Sequence, residues 1–148
     1  MLKMINFWPP FLGAGIKVKS FSPNYDTFEV ELKLGRLNQN YVGTHFGGSL
    51  YAMCDPFFMV ILIKNLGQEY LVWDKAASIR FKKPGRGIVR ARFHIDAAKI
   101  AEIRKLADTQ EKVEPEFMVE IKDKQGETVA VVTKLLWVKR KDRVVKRP

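Results

Sequence analysis

The fold turns on Asn40-Tyr-Val-Gly-Thr-His-Phe-Gly-Gly-Ser-Leu-Tyr-Ala-Met-Cys-Asp-Pro56 and the apolar run that continues from it to Leu66. From Gly47 to Leu66 the apolar positions are too continuous for an amphipathic surface helix, so the pattern predicts one long helix wrapped by sheet on most sides. The pair Gly47-Gly48 opens that helix. Glycines there let another molecule approach backbone N–H groups that lack intrahelical partners and sit at the positive end of the helix dipole. Such donors suit a thioester carbonyl or its oxyanion. Asp55 is the single carboxylate inside the apolar run, and two readings of it stand side by side. It can lie within a continuous helix and do chemistry, with Pro56 freeing the Ala52 carbonyl and kinking the rod. Alternatively, it can be the N-cap of a helix whose first position is Pro56, leaving 47–54 as a separate turn or helix.

Working outward, Tyr25 to Leu34 alternates strictly, with Phe28, Val30, Leu32 and Leu34 on one face and Thr27, Glu29, Glu31 and Lys33 on the other, which predicts a half-buried strand. Tyr70 to Lys83 and Ile88 to Ile95 alternate too, and Pro84-Gly85 between them reads as the turn of a hairpin. Ala97 to Ala107 has helical spacing. Glu116 to Lys122 and Thr128 to Val138 are two more strands, joined by Asp123-Lys-Gln-Gly126, and Ile16 to Ser20 is a further candidate. The expected fold class is α+β, an antiparallel sheet wrapped around one long central helix in a single domain, 1–148. Residues 1–12 form an N-terminal packing segment, and 140–148 a basic tail.

A chain of 148 residues with 47% hydrophobic content supports one ordinary core. Cys54 is the only cysteine, which excludes an intrachain disulfide and fits a reducing compartment, the cytoplasm by default. The start, with Lys3 and then Pro9-Pro10, lacks the uninterrupted apolar region of a signal peptide. Phe57 to Ile63 falls short of the roughly 20 residues a span requires, so no membrane is expected. The net charge of +10 favours phosphate-bearing partners: nucleic acid, anionic lipid or coenzyme A. Part of that charge lies between Lys139 and Arg147, a stretch that reads as a solvated tail without the aromatics that single-strand binding uses. Two histidines and one cysteine make no recognisable zinc set, and no phosphate-binding loop motif occurs, so neither a metal nor another cofactor is expected. Cys54 reads as a buried structural thiol whose carboxylate neighbour disfavours the thiolate.

Asn40, Gly43, Gly47, Gly48 and Asp55 fall in the register Asn-x-x-Gly-x-x-His-Gly-Gly followed by an acid on the helix, and Arg80-Phe-Lys-Lys-Pro-Gly-Arg-Gly87 follows as strand and turn. In these words the chain resembles the hotdog-fold acyl-CoA thioesterases of the phenylacetyl-CoA type over about Gly13 to Lys139. It looks most similar to the uncharacterised DUF4442 branch of that superfamily, through Gly43-Thr44, Phe46 to Ala52 and Asp55-Pro56. One departure stands out: the position before the glycine pair is Phe46 instead of histidine, and His45 lies one place earlier.

The resemblance implies hydrolysis of an acyl-CoA thioester, with coenzyme A as part of the substrate. Gly47 or Gly48 N–H would hold the oxyanion, Asp55 would be nucleophile or general base, and Asn40 would orient Asp55 or the water. His45, Phe46 and Ser49 would line the substrate site, and Arg80, Lys82, Lys83 and Arg86 would meet the coenzyme A phosphates. Eight residues of helix at 1.5 Å each separate Gly47 from Asp55 by about 12 Å, so one thioester carbon cannot touch both in one subunit. A homodimer with paired interfacial sites is expected, with a dimer of dimers as an extension. Three other readings remain: dehydration or hydration of an acyl thioester, acyl-CoA or lipid binding without turnover, and a nucleic-acid contact through the basic tail.

Overall fold

The computed structural model describes residues 2–143; of the basic tail expected at 140–148, Arg140 ends a strand and Lys141–Arg143 form a 3-10 turn, while 144–148 lie outside the described residues. Alternation along six stretches builds six strands: β1 Ile16–Phe21, β2 Thr27–Lys33, β3 Tyr70–Phe81, β4 Ile88–His94, β5 Glu116–Lys122 and β6 Thr128–Arg140. They form one antiparallel sheet in the order β1-β2-β4-β5-β6-β3. Four helices accompany it: α1 Pro9–Ala14, α2 Gly47–Ala52, α3 Phe57–Leu66 and α4 Ala97–Thr109, with a 3-10 turn over Leu2–Phe7.

The inward residues of the strands, among them Phe28, Val30, Leu32, Val89, Phe93, Ile121, Val132 and Leu136, are all buried. They close around α3, whose Phe57, Phe58, Ile61, Leu62 and Leu66 fill the concave side of the sheet. The Phe57 ring stands 4.8 Å from Phe93 and 5.4 Å from Phe28, centroid to centroid. A ring of this size contributes about 2 to 3 kcal/mol when fully buried, so this cluster locks α3 to the sheet. α4 starts at Asp96, whose carboxylate accepts the Lys99 N–H at 2.7 Å, and buries Ile100, Ile103 and Ala107.

Two expectations are corrected. The helix is not continuous from Gly47 to Leu66: α2 stops at Ala52, and α3 restarts at Phe57. Pro56 offers no N–H to the Ala52 carbonyl, and that carbonyl accepts the Asp55 N–H instead, at 3.3 Å, in a tightened last turn. Asp55 does not cap α3 either, because the residue preceding that helix is Pro56 and no side chain caps it. As a composite, Gly47–Leu66 has the length and apolar character of a membrane span, yet half of it is buried inside this molecule as core.

The second correction concerns β3 and β4, which are not a hairpin. β3 pairs with β6 at one edge of the sheet, and β4 pairs with β2 and β5 in its middle. The linking segment crosses from edge to centre, held by the Lys82 N–H on the Val129 carbonyl (2.8 Å), the His45 N–H on the Gly85 carbonyl (3.0 Å) and the Leu34 N–H on the Gly87 carbonyl (2.8 Å). Gly87 turns the chain at φ 64°, a conformation open to glycine.

Candidate active site

The loop before α2 is built by Asn40. Its side-chain oxygen accepts the Val42 and Thr44 N–H groups (3.1 and 2.9 Å), and its amide donates to the Thr44 hydroxyl (2.8 Å) and the His45 carbonyl (3.3 Å). All four hydrogen-bonding positions of the side chain are thereby used. Asn40 shapes the loop and has nothing left with which to orient Asp55 or a water, the role expected of it.

The loop delivers His45 into the protein, 3% exposed, with Nε2 3.1 Å from the Gly87 carbonyl. Burial pushes the imidazole below its ordinary value, with the Gly87 contact opposing. The ring is therefore neutral at pH 7: Nε2–H donates to Gly87, and Nδ1 is a bare acceptor, buried and without a partner. Phe46 follows in extended conformation, 57% exposed, and its carbonyl accepts the first helical N–H groups, those of Ser49 and Leu50. The Gly47 and Gly48 N–H groups have no acceptor among the described residues. With only six residues in α2, the helix dipole expected from a long rod is small, and these two donors act as individual groups.

Both glycines let an exposed aromatic ring lie close against the backbone, and a side chain at either would have to push that ring aside. A Cβ on Gly47 would stand 2.9 Å from Phe81 Cζ, and one on Gly48 would run into the Phe46 ring. Gly47, His45, Asn40, Leu50, Phe81 and Lys82 line one cleft of about 440 Å³ together with Thr44 and the Lys83-Pro84-Gly85 turn. No carboxylate lines it.

Asp55 lies elsewhere. Its Oδ1 accepts from Lys134 Nζ and from the Tyr51 hydroxyl, each at 3.0 Å, and its side chain is 49% exposed. Lys134 is completely buried, and Nζ also reaches Asp74 Oδ2 at 3.0 Å. Burial works against the ammonium, but hydrogen bonds to Asp74 and Asp55 outweigh it and hold Lys134 above its usual value. Asp74 is pushed the other way for a carboxylate: burial raises it against the hydrogen bond from Lys134. With Oδ1 doubly held, Asp55 presents Oδ2 outward.

Asp74 reaches this cluster because β3 carries a bulge at Lys75, between the pairs Asp74↔Leu136 and Ala76↔Leu135. The extra residue resets the alternation, so Asp74 and then Ala77, Ile79 and Phe81 share the face of Leu136, Lys134, Val132 and Ala130, with Ala77 and Phe81 left exposed beyond the core. Lys134 and Asp74 were not anticipated from the sequence. The signal for Lys134 was present: it falls in phase with Ala130, Val132, Leu136 and Val138 on the buried face of β6.

The remaining expected residues divide. Ser49 is buried in α2, its carbonyl taken by the Met53 N–H. Lys82 lines the glycine cleft, and Arg86 is exposed, with Nη1 3.4 Å from the Gly43 carbonyl. Lys83 also lines the cleft but is engaged by Asp123 at 2.6 Å and by Glu127, so it is not a free phosphate ligand. Arg80 pairs with Val131 on the opposite face of β3 from Phe81, away from the cleft. Cys54 is fully buried, and burial, more than its carboxylate neighbour, pushes the thiol far up. Among the described residues no group of three or more His, Cys, Asp and Glu side chains is placed to hold a metal ion.

With this geometry in view, the chain compares closely with solved structures. A probable thioesterase from Pseudomonas aeruginosa superposes with a TM-score of 0.78 at 20% identity, over 86% of this chain and 84% of its own. A thioesterase from Haemophilus influenzae gives 0.69 at 16% identity, over 94% and 88%. The PaaI protein of the phenylacetic acid degradation operon of E. coli gives 0.64 at 18% identity, over 94% and 88%. At these identities the likeness establishes the architecture, the hotdog fold. No curated protein matches the chain. A family model described as a domain of unknown function, DUF4442, matches residues 2–138, and the chain belongs to that family.

Proposed function

We propose that this protein hydrolyses acyl-CoA thioesters at sites shared between two subunits. One observation carries the reading. The cleft lined by Gly47, with Gly48 next in the chain and His45 in its wall, holds no carboxylate among the described residues, while Asp55 stands half-exposed with one oxygen free. A second copy can bring the two together.

The unpaired edge of β3 supports that assembly. It is a 12-residue strand with small exposed residues, Ala76-Ala77-Ser78, at its middle, the kind of edge that pairs with another strand. Asp74, in its first half, and Phe81, its last residue, stand about 23 Å apart at the usual rise. Antiparallel pairing of two β3 strands about an axis between Ala77 and Ser78 sets Asp74 of one copy opposite Phe81 of the other. Asp55 travels with Asp74 through Lys134, and the glycine cleft travels with Phe81. The two halves of the site then face each other across the interface.

In this arrangement the thioester oxygen accepts from the Gly47 or Gly48 N–H, and Asp55 Oδ2 of the partner takes a proton from water. The water oxygen bonds to the carbonyl carbon, the C–S bond breaks, and the coenzyme A thiolate recovers the proton. Lys82 and Arg86, exposed beside the cleft, meet the phosphates. Binding without turnover is the second reading, and one feature favours it: Phe46 stands where the thioesterase motif has histidine.

The test is thiol release from acyl-CoAs of varied chain length and aromatic character, with Asp55→Asn alongside. Turnover that disappears in the variant while the dimer persists is the expected result. Turnover unchanged in Asp55→Asn sinks the scheme, and coenzyme A binding with no release by the native protein selects the second reading.

A further inference from the structure

The N-terminal segment is a fixed platform with an apolar outer face. The Asn6 side chain exchanges two hydrogen bonds with the Val18 backbone, at 3.0 and 2.7 Å, and Phe11 is buried against the Trp8 and Phe57 rings. So anchored, the segment leaves Met4, Phe7, Trp8 and Leu12 between 48% and 71% exposed. The loop holding Leu37, which is wholly exposed, is tied to the end of α1 by Asn38, whose amide donates to the Ala14 carbonyl at 2.8 Å. Burying five large apolar side chains is what such a surface asks of a partner.

Charge names the partner. Phe7 and Leu12 share a groove of about 700 Å³ with Lys17, Lys19 and Lys33. None of these lysines has a carboxylate within ion-pair distance among the described residues. Glu31 is the one acid lining the groove, and Arg90 takes it at 3.0 Å. Phenylalanine and leucine rimmed by lysine, with Trp8 exposed on the same segment, is the composition of a surface that sits in the headgroup region of a bilayer, apolar side chains inserted and ammonium groups on the phosphates. A second copy fits poorly, since a twofold contact would set lysine against lysine.

We propose that this face docks the protein on anionic lipid bilayers. The proposal concerns surface attachment and stands apart from the question of a membrane span. It is also independent of the thioesterase reading. The face lies by β1, at the edge of the sheet opposite β3, and stays free when β3 is paired.

The test is co-sedimentation of the full chain with vesicles of phosphatidylcholine alone or mixed with phosphatidylserine. Native protein is expected to sediment with the mixed vesicles, less so as salt rises, and not with the neutral ones. Two variants check the face: Phe7→Ser with Leu12→Ser, and Lys17→Glu with Lys19→Glu, all at exposed positions whose fold is verified by circular dichroism. The lysine variant should weaken partition at least about 25-fold, from roughly fivefold per lysine. Native protein left in the supernatant with mixed vesicles, or either folded variant binding as tightly as native, overturns the proposal. Loss of the apolar pair changing the assembly state, without any vesicle binding by the native protein, assigns the face to protein association instead.

Discussion

Lys134 holds a full charge at a position with no exposure, and it does so because two carboxylates and a phenol surround it. Removing one member of such a group costs far more than the group contributes, since the others are left uncompensated. Lys134→Met is therefore expected to lower stability by about 3 to 5 kcal/mol in chemical denaturation. Losing Asp74 as well should recover part of that cost, and a double-mutant cycle reads the coupling. His45 gives a prediction of the opposite charge sense. Burial depresses its folded value below the ordinary 6.5, so as pH falls through that value the unfolded chain takes up the proton first. The His45 contribution is thus complete above about pH 6.5 and declines below it. Thermal midpoints of the native protein should drop between about pH 7 and pH 5.5, and those of His45→Gln should drop less. At this scale the sequence is legible where a residue type marks a close approach, as at Gly47 and Gly48, against which the Phe81 and Phe46 rings lie. It is poorly legible where a role depends on a partner far along the chain. Asp55 could be read as cap or catalyst; α3 begins beyond Pro56 and leaves it no cap to make, and its main partner is a lysine 79 residues away.

β3 shows how an element can be recognised and still be misplaced. Its alternation is plain, and the faces assigned to Ala77, Ile79 and Phe81 against Ser78 and Arg80 are those of the pairing with β6. Alternation says which way a side chain points and nothing about which strand lies alongside. Pro84-Gly85 carries turn chemistry, yet that chemistry serves a crossing segment pinned to His45 and Val129. The hairpin of β5 and β6 was readable because Asp123 closes it locally: its carboxylate accepts the Gln125 and Glu127 N–H groups, and Gly126 takes φ 83°. The open edge of β3 carries its own prediction. Ala76→Arg with Ser78→Arg would crowd four guanidinium groups about the proposed twofold axis. Sedimentation should then report a monomer, and thiol release should fall with it. A dimer that survives both substitutions would place the interface on another face.

Across the whole molecule, the division of the site predicts trans-complementation. Asp55→Asn keeps an intact glycine cleft, and Gly47→Trp keeps an intact Asp55. Each should be inactive alone. Mixed and re-paired at random, half of the dimers are heterodimers with one complete site in two, so about a quarter of native activity should return. No recovery would put both halves of the site in one subunit. The buried core and the wrapped sheet could be foreseen from apolar continuity and strand alternation. The break in the helix rested on one proline, and the strand order on long-range pairings that leave no local mark. On the outer face of the same edge, Trp73 and Trp137 lie parallel, 4° and 4.0 Å apart, directly beside Asp74 and across the β3–β6 pair. Two indoles that close share their electronic excitation. Their coupled dichroism and emission thus give the molecule an optical gauge, needing no label, of whether its edge strand is in place.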